Sequence, residues 1–235
     1  YRLTSTIANR TKTTEIQAHN TFETAQALTL IADSEITNLR YLWVMGDMGT
    51  GGDGTEDWYA FTPYNSEGLL LSCKRIGDGN GNPQITVYDQ SVEQIASNSL
   101  GGPDNSAIVA VTEVETYGVH YIKIKNNGSP NFLYELRILS LNDGAVETDR
   151  NPNNNTSNNA DIIDDAPTTQ VLGISYFDDM DIYEIPIPNS YNTTLKVQTP
   201  SFAQSYIPHL EVFDSSDQNV LTPDDGDLSS GVLFT

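Results

Sequence analysis

The chain has 235 residues, of which 37% are hydrophobic and 9% aromatic, enough to bury a core and to exclude global disorder. Its 32 acidic residues against 11 basic ones give a net charge of −21, which excludes nucleic-acid phosphate and an anionic membrane surface as partners. No apolar run approaches the length of a membrane span, so no membrane insertion is expected.

In chain order, residues 1–9 are β-prone and loosely alternating, and residues 11–19 are polar and read as a linker. Asn20-Thr21-Phe22-Glu23-Thr24-Ala25-Gln26-Ala27-Leu28 reads as a short helical turn, with Asn20 or Thr21 as its cap. Residues 36–44 read as a strand, and 46–54 as a glycine-rich loop carrying Asp47 and Asp53. Next comes Glu56-Asp57-Trp58-Tyr59-Ala60-Phe61-Thr62, an alternating aromatic strand. Trp58, Ala60 and Thr62 point one way and Asp57, Tyr59 and Phe61 the other. Further strands are expected at 69–73, 84–89, 94–97, 107–111, 118–125 and 132–141, separated by Gly, Asn and Asp turns. Many short strands and no long amphipathic helix predict an all-β, antiparallel sandwich.

Residues 143–159 break this composition: they are Asn-rich, with little apolar content, and read as an interdomain linker. The pattern then restarts. Asp181-Ile182-Tyr183-Glu184-Ile185 repeats the aromatic strand, with Asp181 at Asp57 and Tyr183 at Tyr59. Pro208 to Asp214 repeats Pro83 to Asp89, and 194–198 repeats 69–73. The expected organisation is an N-terminal strand and linker at 1–19, a first sandwich at 20–142, the linker, and a second sandwich at 160–235.

In this second unit no counterparts of 118–125 and 132–141 are found, whereas 1–9 is an unmatched extra. Residues 1–9 echo 134–142: Tyr1 falls on Tyr134, Leu3 on Leu136 and Asn9 on Asn142. Two readings follow. The chain is a slice of a longer tandem array, or it is a processed subunit whose Tyr1, Leu3 and Ile7 complete the second sandwich of a neighbouring copy. The latter is a head-to-tail strand addition that propagates into a fibre.

Several of these stretches, taken in order, resemble the bacterial pre-peptidase C-terminal (PPC) domain. They are Asp57-Trp58-Tyr59-Ala60-Phe61, Gly79-Asn80-Gly81-Asn82-Pro83 with Val87-Tyr88-Asp89, Ala96-Ser97-Asn98, Thr116 to Ile124, and Tyr134-Glu135-Leu136. The resemblance spans 20–141 and more weakly 154–235. It implies tandem jelly-roll-like or collagen-binding-domain-like β-sandwiches that are secreted or on the cell surface, non-catalytic, and in many members calcium-binding near the N-terminal linker. Two departures stand out: Asn20-Thr21 replaces the family's Asn-Asp, and Ile182 replaces the tryptophan.

Clustered carboxylates suit Ca²⁺, which takes six to eight oxygen ligands. The candidates in the first unit are Asn20, Glu23, Asp53, Glu56 and Asp57, and in the second Glu147, Asp149, Asp178, Asp179 and Asp181. The alternative is a solvated acidic loop. Residues 143–235 hold 16 acidic residues but only Arg150 and Lys196 as basic ones, so this half repels itself unless cations bind. Asp78-Gly79-Asn80-Gly81-Asn82 opens like an EF-hand loop, but Pro83 stands where that loop needs glycine, and the turn reading wins.

Cys73, the only cysteine, lies in an apolar run and reads as a core residue. His19, His120 and His209 are scattered, and no nucleophile elbow or phosphate loop occurs, so no enzyme activity is expected. Asn9, Asn127, Asn154, Asn155 and Asn192 lie in glycosylation sequons. The expected function is a structural subunit of an extracellular fibre or array whose partners are copies of itself. The alternative is an accessory module of a secreted hydrolase that binds collagen or a polysaccharide of the extracellular matrix; Trp58, Tyr59 and Phe61 are the aromatics available to stack on such a ligand, although aromatics in such strands are usually core.

Overall fold

The computed structural model describes residues 12–14, 19–34, 36–48, 56–63, 67–77, 81–98, 106–114, 118–126, 132–142, 145–146, 160–163, 171–173, 181–186, 211–214, 216 and 218–221. Two sheets contain almost all of the ordered strand. The first runs β1 (Lys12–Thr14), β4 (Leu39–Met48), β11 (Phe132–Asn142), β6 (Glu67–Ile76) and β9 (Ser106–Val114), with β3 (Ile31–Ala32) also on β4. The second runs β2 (Gln26–Ala27), β5 (Glu56–Phe61), β10 (His120–Asn126), β7 (Pro83–Tyr88) and β8 (Gln94–Asn98). All pairings in these sheets are antiparallel except β1 with β4 and β2 with β5. The chain is an all-β protein built on an antiparallel-rich sandwich.

The period of two in the sequence makes the core. On β11 Phe132, Tyr134, Leu136 and Ile138 face the other sheet, and Leu136 stands opposite both Val44 and Cys73. Tyr59 and Phe61 of β5, Ile122 and Ile124 of β10, and Ile85 and Val87 of β7 meet them. β11 is the central strand of its sheet, paired along its length on both edges. The unbroken run Leu69-Leu70-Leu71 in β6 has a separate cause. Leu69 and Leu71 enter the sandwich, while Leu70 joins Leu39, Leu139 and Leu141 in a second cluster on the outer face of the same sheet. Strands covered on both faces read as continuous apolar runs.

Three details depart from the sequence reading. The polar stretch 11–19 contains β1, a short Lys/Thr edge strand of the kind that blunts a sheet edge. β4 starts at Leu39 rather than 36 and continues through Gly46, Asp47 and Met48, which the glycines had marked as loop. Asn38, in the left-handed region at φ 68, turns the chain into it. β10 starts at His120, after a Gly118 held at φ 123. Of the turn expected over 20–28, a single 3₁₀ turn, Phe22–Thr24, is present, with Thr24 reaching back to the Thr21 N–H, whereas Gln26–Ala27 are extended as β2 because β5 gives them a partner.

Beyond 142, three short pairings are described, and each repeats one from the first half. β12 (Ala145–Val146) pairs parallel with β14 (Val171–Leu172), as β1 does with β4. β12 falls within the stretch expected to be linker, and it lies against β6 and β9. β13 (Asp161–Ile162) pairs parallel with β15 (Tyr183–Glu184), placing Asp161 opposite Tyr183 as Gln26 stands opposite Tyr59. Ile163 then donates its N–H to the Glu184 carbonyl at 2.9 Å, as Leu28 does to Ala60 at 2.7 Å. β16 (Val212–Phe213) and β17 (Asn219–Leu221) form a hairpin like β7–β8.

The two hairpins share one turn. Asp89 Oδ1 accepts from the N–H of Ser91 and of Glu93, both at 2.8 Å. Asp214 Oδ1 accepts from Ser216 at 2.8 Å and from Gln218 at 3.1 Å. Asp89→Ala is expected to destabilise the first sandwich by about 1–2 kcal/mol, the scale of hydrogen bonds to a charged group at an exposed site. A urea midpoint unchanged in that variant would mean that the turn holds without its aspartate. Residues 1–9 and 194–198 lie outside the described residues.

Candidate functional site

The alternation of β5 sends Asp57 and Tyr59 into the sandwich and Glu56 and Trp58 out of it. Inside, Tyr59 and Tyr134 hold their hydroxyls 2.5 Å apart, and Tyr134 donates to Asp57 Oδ2 at 2.8 Å. Each phenol has one proton, so Tyr59 must donate to Tyr134 for Tyr134 to donate to Asp57. The relay satisfies a carboxylate that is only 6% exposed. Tyr134 reaches it because the facing residue on β4 is Gly46. A Cβ there would meet the Tyr134 Cζ at 2.2 Å. His19 closes one side of the group: its ring is tilted on Tyr59 with centroids 4.9 Å apart. The Trp58 N–H donates to the His19 carbonyl at 2.7 Å, with Nδ1 at 3.1 Å.

The outer face of the second sheet carries an aromatic group. Trp58 stacks on Tyr88 at 5.1 Å, and Lys123 Nζ lies 5.3 Å from the Trp58 ring and 5.4 Å from that of Tyr88. Phe22, 38% exposed, meets Trp58 and Tyr121 edge-on at 6.2 and 6.0 Å. Of Trp58, Tyr59 and Phe61, the last two are core, as aromatics in such strands usually are, and Trp58 faces outward.

The structure separates the carboxylates expected to share an ion. Glu56 lies on the outer face, 3.7 Å from Lys123 and 3.8 Å from Lys125, opposite in direction to Asp57. Glu23 is exposed in the 3₁₀ turn, and Asn20 is half-buried beside His19. Asp181 is half-buried next to β15. Asp53, Glu147, Asp149, Asp178 and Asp179 lie outside the described residues. Among the described residues no group of three His, Cys, Asp or Glu side chains converges as a metal site, and no helix is long and apolar enough to cross a membrane.

Cys73 is fully buried, as expected of a core residue. Burial, then the charges of Asp57 and Glu135, push its thiol well above the ordinary range and leave it unreactive. His120 is 1% exposed and packs on Phe61. Burial lowers its pKa, against the opposing pull of the Gly118 carbonyl and of Asp89. Its folded pKa lies below the unfolded one, so stability is full above about pH 6.5 and falls as pH drops through the folded value. His120→Gln is expected to flatten urea-unfolding stability as pH falls below about 6.5 relative to the parent. A parent already flat across that window would contradict the direction given.

The sequence reading missed Tyr134 as a partner of Asp57, Gly46 as the residue that admits the Tyr134 ring, and His19 as the ring set against Tyr59. The shared parity of Asp57, Tyr59 and Tyr134 held part of the signal; their convergence across the two sheets did not show in it.

No family model matches the chain, and no curated protein matches it. Among solved structures, the pre-peptidase C-terminal domain of a collagenase from Bacillus anthracis is 17% identical, covers 48% of this chain and 93% of its own, and has a TM-score of 0.35. PliG of Aeromonas hydrophila, a periplasmic inhibitor of g-type lysozyme, is 12% identical, covers 49% of this chain and 95% of its own, and has a TM-score of 0.31.

Proposed function

We propose that this chain is a non-catalytic structural subunit of an extracellular or cell-surface fibre or array, made of tandem PPC-like β-sandwiches, in which one copy lends residues 1–9 as a strand to the next. The observation that carries this reading is the position of β11. Residues 1–9 share tyrosine, leucine and asparagine with 134–142 of this strand, which lies between β4 and β6; Tyr1 and Leu3 fall on the core residues Tyr134 and Leu136, while Ser5 falls on Ile138 and Ile7 on Ser140. A segment with that pattern is shaped for the middle of a sheet, where both of its edges are paired and its inward side chains are buried. The recurrence of the β1–β4, β2–β5 and β7–β8 pairings in the second half supports a second sandwich there. The excess of acid over base in 143–235 supports bound Ca²⁺ as a stabiliser.

Deleting residues 1–9 is the direct test. The parent should form particles visible by light scattering and electron microscopy, and the deletion should stay dispersed; equal assembly by both would remove strand lending. Calcium is tested separately by melting with and without EGTA, since an ion at about 100 times its Kd adds roughly 2.7 kcal/mol. Identical melting curves would discard the ion.

The outer aromatic group of Phe22, Trp58, Tyr88 and Tyr121 around Lys123 favours a second reading, an accessory module that holds collagen or a polysaccharide. Retention on collagen or glycan resin that is lost on Phe22→Ala would support it, and passage of the parent through both resins would count against it.

A further inference from the structure

We infer that the seat for the lent strand is built around Gly173, Asp181 and Tyr183, and that Tyr1 of a second copy fills it as Tyr134 fills the seat of Gly46, Asp57 and Tyr59. This inference rests on strand lending and specifies where the strand goes.

The first sandwich gives the pattern. Tyr134 needs a glycine opposite it on β4, and its hydroxyl bridges Tyr59 to Asp57. Each of those three receiving positions recurs in the second half. Val44-Met45-Gly46 returns as Val171-Leu172-Gly173. The strand before it returns too: Ala145 and Val146 pair with Val171 and Leu172 as Thr13 and Thr14 pair with Val44 and Met45. Asp57 and Tyr59 return as Asp181 and Tyr183, on a strand paired to β13 in the register of β2 on β5. The exposures differ in the direction expected of a seat that receives its tyrosine from outside. Gly46 is buried and Gly173 exposed; Asp57 and Tyr59 are buried, whereas Asp181 and Tyr183 are half-buried.

The incoming residue is fixed by the same comparison. Residues 1–9 align with 134–142 so that Tyr1 takes the place of Tyr134 and Leu3 that of Leu136. Tyr134 stands opposite Gly46 and Leu136 opposite Val44. Tyr1 of the incoming copy therefore stands opposite Gly173, Arg2 opposite Leu172 and Leu3 opposite Val171. A slip of one residue would set Tyr1 against a residue with a Cβ and send Leu3 to the wrong face.

Disulfide trapping tests the register on the full chain. Copies carrying Arg2→Cys are mixed with copies carrying Leu172→Cys and oxidised. Directly opposed positions hold their Cβ atoms about 4.5–5.5 Å apart, close to disulfide reach. Cys73 is common to both copies and buried. The expected result is a covalent pair of chains on a non-reducing gel. Leu3→Cys mixed with Leu172→Cys, offset by one, should give little of it. Adding Gly173→Val to the Leu172→Cys copy should lower the yield about tenfold or more by denying the tyrosine ring its space. Tyr1→Phe, which keeps the ring and loses the hydroxyl, should give an intermediate yield. Particles that assemble without the 2–172 bond, or with a bond indifferent to Gly173→Val, would overturn the seat and leave strand lending standing. A bond closed within one chain would overturn the second copy as its source. No particles and no bond in any mixture would overturn both.

Discussion

Replacing Gly46 by alanine is expected to lower the stability of the first sandwich by about 2–3 kcal/mol, the upper range for overpacking a filled core. Glycine in a strand interior is ordinarily a weak point, so alanine at an open position would stabilise. The sign reverses at Gly46 because the added Cβ would lie 2.2 Å from Cζ, 2.4 Å from the hydroxyl and 2.6 Å from Cε1 of Tyr134. That ring cannot swing away freely. It is fully buried, packs edge-on against Phe132 at 6.2 Å, and is bonded to Asp57 and Tyr59. A double-mutant cycle with Tyr134→Leu isolates the cause. With the ring shortened, Gly46→Ala should cost much less, giving a coupling of about 1–2 kcal/mol between residues in direct contact. Urea midpoints of the four proteins decide it, and additive losses would show that the clash is not what makes glycine necessary.

Tyr134→Phe should cost about 2–3 kcal/mol, although it removes one oxygen and leaves the ring in place. The loss falls on Asp57, a buried carboxylate that gives up the donor at 2.8 Å. Tyr59, whose hydroxyl lies 2.5 Å from that of Tyr134, loses its acceptor in the same step. Leaving a buried charged group short of a partner costs more than the bond contributed, and for that reason Tyr134→Phe with Asp57→Leu should recover part of the loss. Thermal melting of the single and double variants measures this. A Tyr134→Phe protein as stable as its parent would mean that Asp57 is satisfied by its other contacts.

The strands were legible in the sequence wherever one face is wet and the other dry. Gln84-Ile85-Thr86-Val87 and Tyr121-Ile122-Lys123-Ile124 alternate, and they became β7 and β10 within a residue or two of the expected bounds. The Asp89 turn was not read, since 84–89 alternates to its end and Asp89 counted as strand, although its bonds stay within its own loop. The errors came where a distant strand overrides the local signal. Gly46 reads as loop because glycine disfavours strands, yet Tyr134, 88 positions away, makes it the residue that a central strand requires. Lys12-Thr13-Thr14 reads as linker because it buries no apolar stripe, yet the open edge of β4 gives it a partner.

The candidate site divides in the same way. Asp57 stood out as a carboxylate beside an aromatic strand, and its direction followed from parity. Its bond to Tyr134 did not follow, because that partner lies 77 positions away in the chain. By itself the sequence determined composition, the echo of 57–61 in 181–185, and the alternation that makes two-faced strands, which is set within about ten residues of chain. Only the tertiary structure decided which strand lies beside which, that Glu56 and Asp57 part to opposite faces of a sheet, and that Tyr59 and Tyr134 meet over a single aspartate. Those outcomes depend on contacts between residues 75 and 77 positions apart. Such contacts form only when the whole sandwich closes, and no local window of sequence carries their energy.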